Sequence, residues 1–391
     1  MTAPLGVVVA VRGDGEAAVV AEIDAHPGLA VVRRCADLAE AVAVARAGLG
    51  SVVVLSEQPH LDADAVAAIR AAGAGLVGVA DGAAPRLEAL GIPPARGSLA
   101  DAVLAAVARP APDFAPPPER GGGAVIAVWG TGGAPGRTTV AVNLAAEAAL
   151  AGHRTVLVDL DTAGASVATA LGLADEAPGI AAVARAAARG EDAASLLERH
   201  LLDVASRLRV VTGLTRAARW PEVTAPGLER LWPALRAAAE VVVLDLAAPA
   251  EAAVGHGAGP RRDGATLAGL AEADVVVAVG GAEPHQLVRL VHALLDLEGP
   301  PPVVAVNRIR ASVAGTRPED AIAAALGRHA GVTEVWPLPW DLRACDAAAR
   351  DGRTLAEAAP RSPLRRAIAS MADVVIAAAR AARDAPATVT D

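Results

Sequence analysis

The chain contains no lysine and no tyrosine, and its 391 residues include one phenylalanine, two methionines and two cysteines. Each shortage excludes something. All 35 basic residues are arginine, so a site that asks for a compact ammonium has only a planar, forked guanidinium to offer. Cys35 and Cys345 lie far apart without ligand spacing, which excludes a disulfide framework and a cysteine-bound zinc. Packing roles for both, in a reducing compartment, are the expectation. The eight histidines form no ligand spacing either, and His285 and His292 are expected on a solvated helix face. No Ser/His/Asp or Cys/His arrangement for covalent catalysis can be assembled. No uncharged apolar run approaches the ~18 residues of a membrane-spanning helix, and the N-terminus lacks a basic stretch and a cleavage signal. A cytoplasmic location is expected, and the net charge of −9 weighs against broad nucleic-acid binding.

What is present is alanine, glycine, valine, arginine and proline, with 53% apolar residues, enough for sizeable cores. The length predicts two domains, or three. Residues Arg109–Gly123, RPAPDFAPPPERGGG, read as a linker stiffened by proline at its start and loosened by glycine at its end. The expected division is a domain over 1–108, this linker over 109–123, a larger domain over 124–383 and a polar tail over 384–391.

In the first part, short apolar runs at Leu5–Val11, Leu29–Val32, Ser51–Leu55 and Gly75–Val79, with a weak fifth near Ile92, alternate with helical patterns. That alternation predicts a flavodoxin-like parallel sheet, and its order resembles a response-regulator receiver domain. Where such receivers carry acidic residues, the chain has Ala10, Val11 and Arg12. Ser56 stands near the phosphoacceptor position, and Gly97-Ser98 where a lysine is expected. Mg²⁺-dependent phosphorylation needs clustered carboxylates. An inactive module with an interaction or dimerisation surface is the reading.

The most informative stretch is Val125–Ala145, VIAVWGTGGAPGRTTVAVNLA. Apolar β-formers lead into a glycine-rich turn that ends in Gly136-Arg137-Thr138-Thr139, and a helix follows. Main-chain N–H groups of such a turn and the positive end of the helix both face an anion, and a threonine at the helix start can ligate Mg²⁺. The phosphate-loop consensus departs here twice, with Thr131 at the first glycine and Arg137 at the lysine. Two other readings stay open: an ordinary strand-turn-helix without ligand, and a dinucleotide-binding turn, against which Pro135 stands at the last glycine position. Further strands are expected at Arg154–Leu160, Arg209–Thr212, Glu240–Leu246, Asp274–Gly280, Pro302–Asn307 and near Val335–Leu338. Their Asp- and Asn-rich ends gather with the loop at the ligand edge of a doubly wound sheet.

From Ala124 to about Arg383 these residues resemble the MinD/ParA (deviant Walker A) P-loop ATPases. With the receiver-like part in front, the chain resembles the CpaE/TadZ branch, whose members help position pilus or secretion machinery; many relatives are called septum-site or chromosome-partitioning proteins. The resemblance implies a P-loop NTPase fold, ATP and Mg²⁺. Its loop falls on Gly132, Gly133, Ala134, Pro135, Gly136, Arg137, Thr138 and Thr139. It implies Mg²⁺ coordination by Thr138, an α-phosphate contact for Thr139, and Arg137 in place of the lysine that bridges β- and γ-phosphates. Gly132 replaces the lysine that reaches a dimer partner's nucleotide, so an ATP-sandwich homodimer and stimulated hydrolysis both lose support. Asp161 would orient the attacking water and Asp159 would lie near Mg²⁺. A plain aspartate cap on a helix N-terminus is the other reading of that pair. Asp245 would hold a metal-bound water, with Pro249 in the turn beyond. Asn307 and the Pro337–Asp341 loop, including Pro339, would contact adenine.

Trp220 and Trp232 are expected to pack in a core or interface. Ala248–Gly264 reads as a mobile loop and partner site. The last helical pattern, Pro363–Arg383, is amphipathic without aromatics, and packing on the sheet is preferred to membrane contact, which would be peripheral at most. Protein partners in a pilus, secretion or division apparatus are implied by the resemblance. Two competing functions are a scaffold that has lost nucleotide, and a DNA-partitioning ATPase using Arg361, Arg365, Arg366, Arg380 and Arg383.

Overall fold

The structure, a computed structural model, describes residues 4–80, 82–108, 121–133, 136–174, 179–248 and 261–384. Ala134, Pro135 and Pro249 lie outside them, as do most of the expected linker and tail and residues 249–260 of the expected mobile loop. The chain divides into two compact units, Met1–Glu119 with Arg185–Ala193, and Arg120–Ala184 with Ala194–Asp391.

In the first unit, runs of valine and leucine form β1 (Leu5–Ala10), β2 (Leu29–Arg34), β3 (Val52–Ser56) and β4 (Gly75–Val79). They pair in parallel in the order β2-β1-β3-β4, with connecting helices such as Leu38–Arg46 and Ala63–Ala71. Asp37 and Asp62 begin those two helices, each side chain accepting from the main-chain N–H three residues on. The arrangement is flavodoxin-like. The fifth strand expected near Ile92 is reduced to one isolated bridge, Gly78 to Pro94. Pro93 and Pro94 lack the N–H donors a ladder needs, so only the Pro93 carbonyl and the Ala95 N–H bond to Gly78.

Among the described residues of the second unit, eight strands form one sheet: β5 (Ala124–Gly130), β6 (Thr155–Leu160), β7 (Leu202–Ala205), β8 (Leu208–Val211), β9 (Val241–Leu246), β10 (Val275–Gly281), β11 (Val303–Ile309) and β12 (Val335–Pro339). Their order is β12-β11-β10-β5-β9-β6-β8-β7. Pairing is parallel except at β7, which runs antiparallel to β8. The central strands are buried on both faces, which accounts for their unbroken apolar sequences. No apolar pattern announces β7: its LDVA is short and largely exposed, with no apolar stripe to register.

From β5 the chain crosses to β6, forms β7 at the sheet edge and β8 between them, returns to β9, and later continues on the other side through β10. β5 therefore stands at the switch point of the sheet, where a crevice opens beyond the strand ends. The helix Arg137–Leu150 that follows β5 is buried along most of its length. The last helix, Pro363–Asp384, lays Leu364, Ile368, Met371, Val375 and Ile376 into the same core. Its apolar face is thus occupied. Among the described residues no helix is long and apolar enough to cross a membrane.

A candidate phosphate and metal site at the strand ends

The site begins where β5 ends. Gly133 and Gly136 have φ of +72° and +100°, the left-handed region in which a side chain is strained. They let the loop turn tightly enough to enter the helix at Arg137. A Cβ on Gly136 would lie 2.2 Å from Asn307 Nδ2, so this glycine also lets β11 approach the loop closely. Gly132 faces open space, with nothing within 4 Å of a Cβ built there.

Arg137 sits under the loop with its side chain 16% exposed. Its Nη1 donates to the Thr131 carbonyl, its Nε to the Leu246 carbonyl and its Nη2 to Asp161 Oδ2, each at 3.1 Å. One guanidinium thus joins the start of the loop, the end of β9 and the turn after β6. The three acceptors are met by three different nitrogens, where a lysine would offer one.

Thr138 is the second residue of the helix. Its Oγ1 donates to Asp245 Oδ2 at 2.7 Å and lies 3.0 Å from Ser166 Oγ. Asp245 is fully buried and its Oδ1 has no partner among the described atoms. Asp159 is its register partner on the adjacent parallel strand, so the two carboxylates stand side by side. Burial pushes Asp159 up to about 7, against the main-chain N–H bonds that oppose the shift. Burial first, and then the Asp159 charge, raise Asp245 well above the usual carboxylate range.

The Asp-x-Asp pair is largely engaged with main chain. Asp159 accepts from the N–H groups of Asp161, Ser166 and Val167. It therefore caps the short helix Val167–Ala170, which was the plainer of its two readings. Asp161 Oδ1 accepts from Ala163 and Gly164 N–H, while Oδ2 meets Arg137. A cavity of about 410 Å³ opens beside this turn, lined by Thr162, Ala163, Ala247 and Asp263.

The structure brings the loop, Asp159, Asp161, Asp245 and Asn307 to one edge of the sheet. Asn307 is buried against Gly136, and its Oδ1 accepts from the Arg308 N–H. Pro339 ends β12 opposite Ile309, and the next residue, Trp340, is 37% exposed under the Arg308 and Arg310 guanidiniums, 4.7 and 5.8 Å from its ring centroid. Thr139 is drawn into the helix, its carbonyl accepting from Asn143 Nδ2. Of the arginines that a DNA-partitioning reading would require, Arg365 is paired through two nitrogens with Glu147, and Arg383 with Asp384. Sequence reasoning passed over Ser166, which its place before a short helix could have marked, and Arg289, whose Nη1 donates to the Gly132 carbonyl from 157 positions away.

The donor set suits a hard cation. A hydroxyl and a buried carboxylate oxygen without a partner are oxygen ligands, and Mg²⁺ is commonly held by one or two such groups, with phosphate and water completing its shell. Among the described residues no cluster of three His, Cys, Asp or Glu could hold a metal by itself. The residues therefore fit Mg²⁺ accompanied by phosphate rather than a metal caged by protein alone.

A comparison with curated proteins finds no match. Among solved structures, the chain is similar to a ParA family ATPase of Chlorobium tepidum, at 18% identity and a TM-score of 0.52, over 64% of this chain and 98% of that one. It is also similar to the septum site-determining protein MinD of Pyrococcus horikoshii complexed with Mg-ADP (16% identity, TM-score 0.49, 64% and 95% covered). A third is apo McdA of Cyanthece (15% identity, TM-score 0.49, 65% and 99% covered). The first of these likenesses shows the fold. Residues 126–355, from inside β5 to the segment just before the last helix, match the CobQ/CobB/MinD/ParA nucleotide binding domain, and the chain belongs to that family.

Proposed function

We propose that the chain binds Mg-ATP at the β5 loop, hydrolyses it slowly or not at all, and acts as a positioning protein of the CpaE/TadZ type. The observation that carries binding is the loop itself: two left-handed glycines, a helix N-terminus, and Thr138 within hydrogen-bond reach of a buried carboxylate that still has an unpartnered oxygen. In this reading the main chain of Gly132, Gly133 and Gly136 faces the phosphates, and Thr138 and Asp245 hold Mg²⁺. Mg²⁺ neutralises phosphate charge when bound. Asn307 and Pro339 border the base.

Slow hydrolysis follows from the Arg137–Asp161 pair. A carboxylate that orients water must be within reach of that water, and Asp161 has one oxygen on two main-chain N–H groups and the other on Arg137. A titration of the full chain with fluorescent ATP and Mg²⁺ tests binding; no binding at millimolar nucleotide overturns it. Arg137→Lys tests the block on hydrolysis. It should free Asp161 and raise turnover by at least about tenfold, on the scale of one positioned acid-base group. Unchanged turnover in a variant that still binds ATP removes this explanation.

A second reading, a scaffold that works without nucleotide, is favoured by the same engagement of Arg137. Arg137→Ala separates the two, because only the scaffold keeps its localisation and partner binding. The DNA-partitioning reading ranks below both, since Arg365 and Arg383 are already paired. In the first unit we read a receiver-like module without phosphorylation chemistry. The Arg12 N–H meets Ser56 Oγ, and Gln58 Nε2 meets the Ala10 carbonyl, where an active receiver would gather carboxylates.

A further inference from the structure

The Gly132-Gly133 turn opens the phosphate loop with two residues that have no side chain to hold them. Glycine gives the backbone its widest freedom, and Gly133 is in the left-handed region. Arg137 holds only the peptide that enters this turn, through the Thr131 carbonyl, and its other two nitrogens are on Leu246 and Asp161. Arg289 does reach the turn. Its Nη1 lies 3.2 Å from the Gly132 carbonyl, and a Cβ on Gly133 would stand 3.1 Å from the same nitrogen. Both distances place Nη1 of the guanidinium at the Gly132-Gly133 turn.

Arg289 is itself exposed, but the helix that carries it is anchored. It projects from the helix Pro284–Asp296, which is seated on β10 through fully buried Leu290 and largely buried Gln286. In a trans peptide the carbonyl and the following N–H point in opposite directions. An arginine that holds the Gly132 carbonyl toward its helix thus fixes the Gly133 N–H pointing away from it. Successive main-chain N–H groups aimed in one direction are what an anion-binding nest requires. Arg289 also brings a positive charge beside a loop that has no lysine.

We propose that Arg289 is a positioning residue for the phosphate loop: it clamps the Gly132-Gly133 turn in the form that receives the phosphates of a nucleotide. The proposal rests on the reading of the loop as a nucleotide site. It acts through the main chain, so it predicts loss of affinity for the phosphates in general and not for the terminal phosphate alone.

The test uses the full chain and the variants Arg289→Ala and Arg289→Lys. In ligand-free protein, hydrogen exchange of peptides covering Trp129–Gly133 should quicken at least about threefold in Arg289→Ala, within the net worth of one lost hydrogen bond. Affinities for Mg-ATP and Mg-ADP should both fall about tenfold, the scale of one charge-assisted contact. Arg289→Lys should recover part of both effects, which a loss of general packing would not allow. Unchanged exchange in the loop overturns the clamp. So does a selective loss of Mg-ATP affinity with Mg-ADP unaffected, because that would mean a direct contact to the terminal phosphate. If the natural chain binds neither nucleotide, the nucleotide reading falls, while the exchange measurement still decides whether Arg289 holds the turn.

Discussion

At the scale of single residues, the site depends on groups whose chemistry is set by their neighbours. Gly136 has a left-handed backbone and no room for a Cβ against Asn307. Gly136→Ala should cost about 1–3 kcal/mol through strain and abolish ATP binding, as read by the urea midpoint and by nucleotide titration. Cys35 illustrates burial acting on a thiol outside the site. Burial first, with the Glu40 carboxylate second, pushes its pKa up to about 11. This is above the unfolded value of about 8.5. The stability from keeping the thiol neutral is therefore complete below that pH and is lost as pH climbs through about 11. At pH 8 native Cys35 should react with a thiol reagent far more slowly than in denaturant; equal rates would contradict the burial.

At the scale of elements, Arg236 ties the base of the second sheet. The guanidinium donates to the Gly123 and Glu272 carbonyls and pairs with Asp274 and Glu272, and its side chain is 4% exposed. Asp274 in turn accepts from the Val125 N–H at the start of β5. Helix Ala225–Ala238, β5 and β10 thus share one buried charge network. Removing one member of a buried pair leaves the other uncompensated. Arg236→Ala should destabilise by about 3–5 kcal/mol, measured by denaturant unfolding, with the β5 loop losing order along with its strand.

At the scale of the whole molecule, two units carry two separate sets of strands, so a single two-state transition is not expected. Scanning calorimetry should resolve two transitions. Mg-ATP should raise only the one belonging to the second unit, by about 2.7 kcal/mol at a hundredfold excess over Kd. A shift of both transitions, or of neither, would count against a nucleotide site confined to the β5 loop.

Much of this was legible in the sequence. Runs such as TVLVDL and VVVLDL are buried on both faces as strands, and the glycines and threonines of the loop occupy the turn and helix start that their spacing called for. Those features are local: chain chirality, apolar runs and glycine φ act over a few residues. The failures were also local in cause, since two prolines silenced the fifth strand of the first sheet and β7 had no apolar face to announce it. Local sequence was enough to locate the buried strands, the loop and the carboxylates along the chain. It took the folded chain to bring Arg137 to Leu246 and Asp161, Asp159 into register with Asp245, and Arg289 to Gly132. Those meetings join positions tens to more than a hundred residues apart, and they follow from the order of strands in the sheet, which no local pattern of residues encodes.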